Sequence, residues 1–163
     1  MATIDNLKAA FAGESQANRK YLAFAKKADA EGYPQIAKLF RAAAAAETVH
    51  AHNHLGIMDG VGNTIENLQA AIDGETYEFK QMYPGFIKEA ESDGFKKAKW
   101  SFNVANQVEE IHARLFKEAI AAMSKDSGKD YYICPVCGNT VLGGAPDKCP
   151  ICNEPGSHFM LVD

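Results

Sequence analysis

The sequence predicts a mainly α protein: a four-helix bundle with a long connection between its second and third helices, plus a small C-terminal metal-binding domain. Three observations carry this. Apolar residues recur at helical spacing through most of the first 124 residues, with breaks at Gly32, around Gly60 and Gly62, and at Gly94. A Glu-x-x-His pair occurs twice, at Glu47–His50 and Glu109–His112. All four cysteines fall between positions 134 and 152. The organisation expected is a helical domain over 1–125, a linker over 126–130 and a cysteine module over 131–163.

Thr3 is placed as the N-cap of the first helix, with Asp5 in its first turn, where the helix dipole favours negative charge. Leu7, Phe11, Leu22 and Phe24 pattern that helix to about Ala30, and Gly32 stops it. Pro34 opens the second helix, since a first-turn residue has no intrahelical use for its N–H. This helix runs to about Met58 and includes the run Ala42–Ala46, which favours helix and keeps side chains small beside a neighbour. Thr64–Ile72 is expected as a short helix within the long connection, ended by Gly74. The third main helix is expected over Glu75–Ser92, with a kink or a change of winding at Pro84. The fourth is expected over Phe95–Ser124, and the glycine- and proline-rich remainder as turns and short strands.

Displaced by 62 positions, the chain matches itself: Tyr21 with Tyr83, Phe24 with Phe86, Gly32 with Gly94, Phe40 with Phe102, Glu47 with Glu109 and His50 with His112. A helical pattern alone would not align both stops and both Glu-x-x-His pairs, so the helical domain is a duplicated hairpin. Near the start of each copy the displacement is 61, pairing Gly13-Glu14-Ser15 with Gly74-Glu75-Thr76. The second copy thus holds one extra residue between Glu75 and Tyr83, and a helix absorbs such an insertion as a π-bulge.

Each hairpin offers one lone glutamate and one Glu-x-x-His. A spacing of three residues puts the pair on one helix face, one turn apart. Glu14, Glu47, His50, Glu75, Glu109 and His112 together are the ligand set known for di-iron and di-manganese carboxylate bundles. Mixed oxygen and imidazole donors suit iron or manganese, and carboxylates facing one another without a cation would be costly. Glu78, one turn beyond Glu75, stands where the first copy has Ala17 and is a candidate seventh ligand that makes the two metal positions unequal. Tyr21 and Tyr83 are candidate phenols beside the site, to hydrogen-bond ligands or supply protons. Glu110, His52 and His54 are left out, because the helix points them elsewhere or packing accounts for them.

Cys134-Pro-Val-Cys137-Gly and Cys149-Pro-Ile-Cys152-Asn form two knuckles, and four thiolates bind one iron or one zinc. The prolines, Gly138 and Ala145-Pro146 match the rubredoxin pattern, and Tyr132 and Phe159 are placed to shield the site. Clustered Cys-x-x-Cys pairs read as metal rather than disulfide, which fits a cytoplasmic protein.

With these motifs in this order the chain resembles the rubrerythrin family over essentially its whole length. The resemblance implies a ferritin-like di-iron bundle followed by a rubredoxin-like domain. It implies that Glu78 ligates iron and that His50 and Glu78 exchange at one iron as the redox state changes. It further implies a peroxidase reducing hydrogen peroxide to water, with Glu78, Tyr21 and Tyr83 near the chemistry. Electrons would come singly through the iron held by Cys134, Cys137, Cys149 and Cys152, from an NAD(P)H-dependent rubredoxin reductase or a similar donor. A homodimer is expected, in which one chain's cysteine domain approaches the other chain's di-iron site. The alternatives are a ferroxidase or iron-handling protein, and a zinc-ribbon interaction module.

Composition excludes several classes. The chain has 163 residues, 47% hydrophobic and 23% charged, with net charge −4 and no basic stripe, so nucleic acid is not an expected partner. No apolar run approaches the roughly 18 residues of a membrane span, and the start lacks a signal-peptide pattern.

Overall fold

The structure is a computed structural model that describes residues 2–123 and 128–162. The chain divides into two compact units, 1–62 and 63–163.

The first unit is a helical hairpin of α1 (Ala2–Ala30) and α2 (Pro34–Ile57). Helix α1 already includes Ala2, so Thr3 lies inside it rather than at the expected N-cap. Gly32 (φ +80°) reverses the chain, with Tyr33 N–H on the Ala28 carbonyl at 2.8 Å. Only a residue without Cβ adopts that conformation cheaply. The helices pack through small residues: Ala25, Ala28 and Ala37 are buried against the half-buried Phe40. Ala44 and Ala51 continue the seam on α2. Of the alanine run, Ala44 alone is buried, so the rest serves helix propensity.

The second unit begins at once. Asn63 and Glu66 form a reciprocal capping box: Asn63 Oδ1 accepts from Glu66 N–H at 3.0 Å, and Glu66 Oε2 accepts from Asn63 N–H at 2.8 Å. Helix α3 (Thr64–Tyr77) then runs without a break through Gly74 into a π-helical segment, Glu78–Met82, and on into α4 (Tyr83–Ser92). This corrects the sequence expectation. There is no separate short helix ended at Gly74, and the connection between the second and third main helices is residues 58–63. A helical glycine costs only about 1 kcal/mol relative to alanine, and the cap at Asn63 together with Ile72, buried in the unit, outweighs it.

The π segment lies where the one-residue mismatch of the repeat requires it. Tyr83 N–H bonds the Glu78 carbonyl five residues back. Pro84 follows in the first turn of α4, where its missing N–H falls beside the altered winding. Gly94 (φ +67°) repeats the role of Gly32, with Phe95 N–H on the Ala90 carbonyl at 2.9 Å. Helix α5 (Lys96–Ala122) returns along α3 and α4, burying Val104, Val108 and Ala113. Residues 124–127, which hold the expected end of this helix at Ser124 and the first two linker residues, lie outside those described.

Beyond Gly128 comes a three-stranded antiparallel sheet in the order β2-β1-β3, made of β1 (Tyr131–Ile133), β2 (Thr140–Leu142) and β3 (Met160–Val162). Strand β2 touches α5. Among the described residues, no helix is long and apolar enough to cross a membrane.

Candidate metal centre

In the first unit α1 supplies Glu14 and α2 supplies Glu47 and His50. One ligand atom from each lies within 4.8 Å of the others. His50 Nδ1 is 2.9 Å from Glu47 Oε2, as the one-turn spacing allows. Asn18 braces the hairpin here, its side-chain amide donating to the Ala44 carbonyl at 2.7 Å and to Thr48 Oγ1 at 2.8 Å.

The second unit repeats this arrangement. Glu75 of α3 and Glu109 and His112 of α5 bring their ligand atoms within 4.8 Å of one another. His112 Nδ1 is 2.8 Å from Glu109 Oε2 and 3.6 Å from Glu75 Oε1. Aromatic rings repeat as well. Tyr21, Phe24 and Phe40 have centroids 5.5 to 6.3 Å apart, and Tyr83, Phe86 and Phe102 have 5.5 to 6.2 Å. The internal repeat is therefore a repeat of geometry down to ring contacts.

Three carboxylates crowd one imidazole in the second unit, and the electrostatics follow. Burial and the Glu109 charge push Glu75 up to about 7, against a partial pull downward from His112. Glu78 is raised by burial and then by Glu109. It thus senses the site, although it stands outside the tight triad. Tyr83 is raised by burial and by Glu109, Glu78 and Glu75, so its phenol keeps its proton. His112 is raised by its hydrogen bond to Glu109.

One contact was not legible in the sequence. His112 Nε2 lies 2.9 Å from Thr140 Oγ1 on β2. That hydroxyl spends its proton on the Gly138 carbonyl at 3.0 Å, so Nε2–H donates to it. Thr140 thereby fixes the ring and leaves Nδ1 facing the carboxylates, as an outer partner of a metal-binding histidine does. Twenty-eight residues separate the two, and no local pattern links them.

The cysteine knuckles are near copies. Gly138 N–H bonds the Cys134 carbonyl at 2.9 Å, and Asn153 N–H bonds the Cys149 carbonyl at 3.0 Å. Gly138 (φ +82°) and Asn153 (φ +67°) take the left-handed conformation that closes each turn. The sulfur pairs Cys134–Cys152 and Cys137–Cys149 are each 3.6 Å apart. A tetrahedron with metal–sulfur bonds of about 2.3 Å requires sulfurs roughly 3.8 Å apart, so the cage fits one iron or zinc. Burial raises the Cys149 thiol, but N–H groups of Cys152 and Ile151 bonded to its sulfur outweigh this and bring it down to about 7. Buried Asn139 sends its amide toward the same sulfur at 3.7 Å.

The donor sets fit their metals. Six oxygen and imidazole ligands, with Glu75 and Glu78 raised by burial and by the neighbouring Glu109 charge, call for divalent cations to neutralise them. In the metal-free protein, Glu75, Glu78 and His112 all hold protons in the folded state that the unfolded chain would release. Stability contributed by Glu75 is thus present below pH 4.5 and is lost as pH rises toward 7; His112 adds a loss of the same sign above 6.5. The expected result is a melting temperature that falls from pH 5 to pH 8 without metal and holds when metal is bound. Metal uptake at pH 6.5 should release protons, read with an indicator dye in weak buffer.

A protein-family model described as rubrerythrin matches residues 5–120, and one described as the rubrerythrin rubredoxin-like domain matches residues 132–160. The chain is 39% identical to Rubrerythrin-2 of Clostridium acetobutylicum, covering 97% of this chain and 95% of that one. That alignment runs over 180 positions against 163 residues here, so the relative carries residues between the same ends that this chain lacks. It is 37% identical to Nigerythrin of Nitratidesulfovibrio vulgaris, covering 97% and 85%. Among solved structures it is similar to the partially reduced state of nigerythrin, with TM-score 0.62, 37% identity, and 98% and 86% of the chains covered.

Proposed function

Because the chain belongs to the rubrerythrin family, with a di-iron site of Glu14, Glu47, His50, Glu75, Glu109 and His112 and a four-cysteine rubredoxin-like site, we propose that it is a peroxidase that reduces hydrogen peroxide to two waters. The reaction consumes two electrons and two protons per peroxide, breaking the O–O bond. Held by those six residues, an iron pair would supply two electrons together and Lewis acidity toward peroxide oxygen. The remaining roles belong to the chain.

The observation that carries this reading is the Thr140 contact. Through Cys137-Gly138, the Gly138 carbonyl and the Thr140 hydroxyl, the cysteine cage is joined to His112 of the carboxylate triad in the same unit. A protein that only oxidised iron for storage would need no such connection to an electron-transfer module. Glu78 is proposed as a seventh ligand and proton carrier, its raised pKa favouring the protonated form. Tyr83 is proposed to keep its phenol proton beside Glu75 and Glu78, and Tyr21 to occupy the matching place in the other hairpin. His50 is proposed as the ligand that exchanges with Glu78; its side chain is 54% exposed against 26% for His112, and among the described residues it has no counterpart of Thr140 to hold it. Electrons are proposed to come from an NAD(P)H-dependent reductase, and the working form to be a homodimer in the cytoplasm. We take the helical part to extend through residue 125 and the linker to be 126–130.

Anaerobic stopped-flow mixing of the reduced protein with peroxide tests the reading. The expected result is oxidation at the helical centre first and at the cysteine-held iron second, with steady consumption of reductant. If Fe(II) is oxidised while reductant is never turned over, the ferroxidase reading replaces it. Thr140→Val should weaken metal binding at the His112 half-site about 10- to 100-fold and slow the second phase, leaving the cysteine-held iron in place.

A further inference from the structure

The cysteine cage is built from two copies of one turn, and the copies part ways at a single side chain. In the first, the Asn139 carbonyl accepts from Cys134 N–H at 2.9 Å; in the second, the Glu154 carbonyl accepts from Cys149 N–H at 2.8 Å. Asn139 N–H donates to the Cys137 sulfur, and Glu154 N–H donates to the Cys152 sulfur. The two backbones thus hold the cage in the same way. The side chains do not. The Glu154 carboxylate turns away from the cage to His158 Nδ1. The Asn139 amide turns inward, with its nitrogen 3.7 Å from Cys149 Sγ.

Asn139 is 1% exposed and is the one buried polar side chain among the described residues. Burying an amide is costly unless it finds a partner, and a leucine of similar size would fill the space without that cost. The partner here is a sulfur that also accepts from the N–H groups of Cys152 and Ile151. A neutral thiol is a weak acceptor, whereas an ionised group makes hydrogen bonds roughly twice as strong. The buried amide is therefore matched to negative charge on Cys149 Sγ.

We propose that Asn139 sets the redox poise of the cysteine-held iron, its side-chain N–H favouring the reduced cage through Cys149 Sγ. This rests on the electron-carrying reading of the cage given above. Reducing the iron from ferric to ferrous adds one electron and leaves the four-thiolate cage one unit more negative. A donor fixed at one sulfur stabilises that more negative state more, and hydrogen bonds to sulfur are among the levers that set the potential of iron–thiolate centres. The cage then takes an electron from the reductase more readily and releases it less readily, by the same factor. It holds that electron until the helical centre presents oxidised iron to receive it. Asn139 acts through Cys149, as a positioning residue of the electron-transfer site.

Optical potentiometry of the full-length, iron-loaded protein tests this without relying on turnover, by following the thiolate-to-iron absorption as it bleaches on reduction. Asn139→Leu keeps the volume and removes the donor. At a fixed potential its ferrous-to-ferric ratio should fall about tenfold, as for the loss of one hydrogen bond to a charged acceptor, which is a midpoint lower by about 59 mV for a one-electron couple. Asn139→Val, a smaller apolar replacement, should shift it in the same direction, and Asn139→Gln, which keeps an N–H, should lie between Leu and wild type. A side chain that only filled space would alter iron retention or melting and leave the midpoint unmoved; that result, or a midpoint that rises, overturns the proposal. Should the apolar variants fail to hold iron, wild-type protein loaded with cadmium decides. Its NMR spectrum should show coupling between the Asn139 side-chain amide and the metal through the Cys149 sulfur, and absence of that coupling counts against the proposal. A wild-type cage that accepts zinc and no iron sinks the electron-carrying reading and this one with it, whereas an unmoved midpoint sinks this one alone.

Discussion

Glu109→Gln should weaken metal binding at its half of the helical centre and lessen the pH dependence of the metal-free protein, both from the loss of one charge. Glu109 Oε2 is the hydrogen-bond partner of His112 Nδ1 at 2.8 Å, and its charge contributes to raising Glu75, Glu78, Tyr83 and His112. The amide keeps the shape and one acceptor oxygen but supplies neither the anionic ligand nor the field. Metal affinity at this half-site should fall by on the order of 100-fold or more, since even outer-sphere partners of metal ligands cost 10- to 100-fold. Without metal, Glu75 and Glu78 should titrate nearer the ordinary carboxylate range and His112 nearer 6.5. The melting-temperature decline between pH 5 and pH 8 should then shrink in part, because burial, the larger cause at Glu75 and Glu78, stays in place. Isothermal titration with Fe(II) or Mn(II) under nitrogen and thermal melts across pH read the two effects. Unchanged affinity would remove Glu109 from the ligand set; an undiminished slope would place the repulsion elsewhere.

Cys134→Ser should melt the C-terminal module while sparing the helices. Cys134 is 1% exposed, and its backbone N–H and carbonyl bond Asn139 and Gly138. The module has three strands of three residues each and a thin apolar interior, too little to fold on burial alone. Its stability must come from the metal, whose binding to structural sites of this type is worth roughly 10 kcal/mol or more at neutral pH. The expected outcome is loss of the cysteine-held ion, rapid proteolysis within 131–162 and little change in helical circular dichroism. His112 should also lose its Thr140 partner, so the variant should bind metal at the helical triad more weakly, by about the factor expected for Thr140→Val. A module that remains protease-resistant without its ion would show that packing holds it.

Much of the site was legible in the residues because its signals are local. Glu-x-x-His declares a helix face, Cys-x-x-Cys declares a knuckle, and the 62-residue repeat joins the two hairpins without any coordinates. The change of displacement from 62 to 61 placed a π-bulge between Glu75 and Tyr83, because an inserted residue must be absorbed between two fixed anchors, and the structure has it at Glu78–Met82. The stops at Gly32 and Gly94 were equally readable, since the left-handed turn needs a residue without Cβ.

Gly74 misled for the opposite reason. Glycine permits a break without imposing one, and whether a helix continues through it depends on what the flanking residues bury and how its start is capped. Asn63, Glu66 and the buried Ile72 decided that, and with it the length of the 58–63 connection.

By itself, then, the sequence determined the ligand set, the duplicated hairpin, the π insertion and the cysteine cage, all fixed by spacings within a turn or a knuckle. Only the tertiary structure decided that α3 starts at Thr64, that Thr140 reaches across 28 residues to orient His112, and that the six ligands are presented as two sets of three. Those depend on contacts between segments distant in sequence and on how far a given length of chain can reach, neither of which a local pattern encodes.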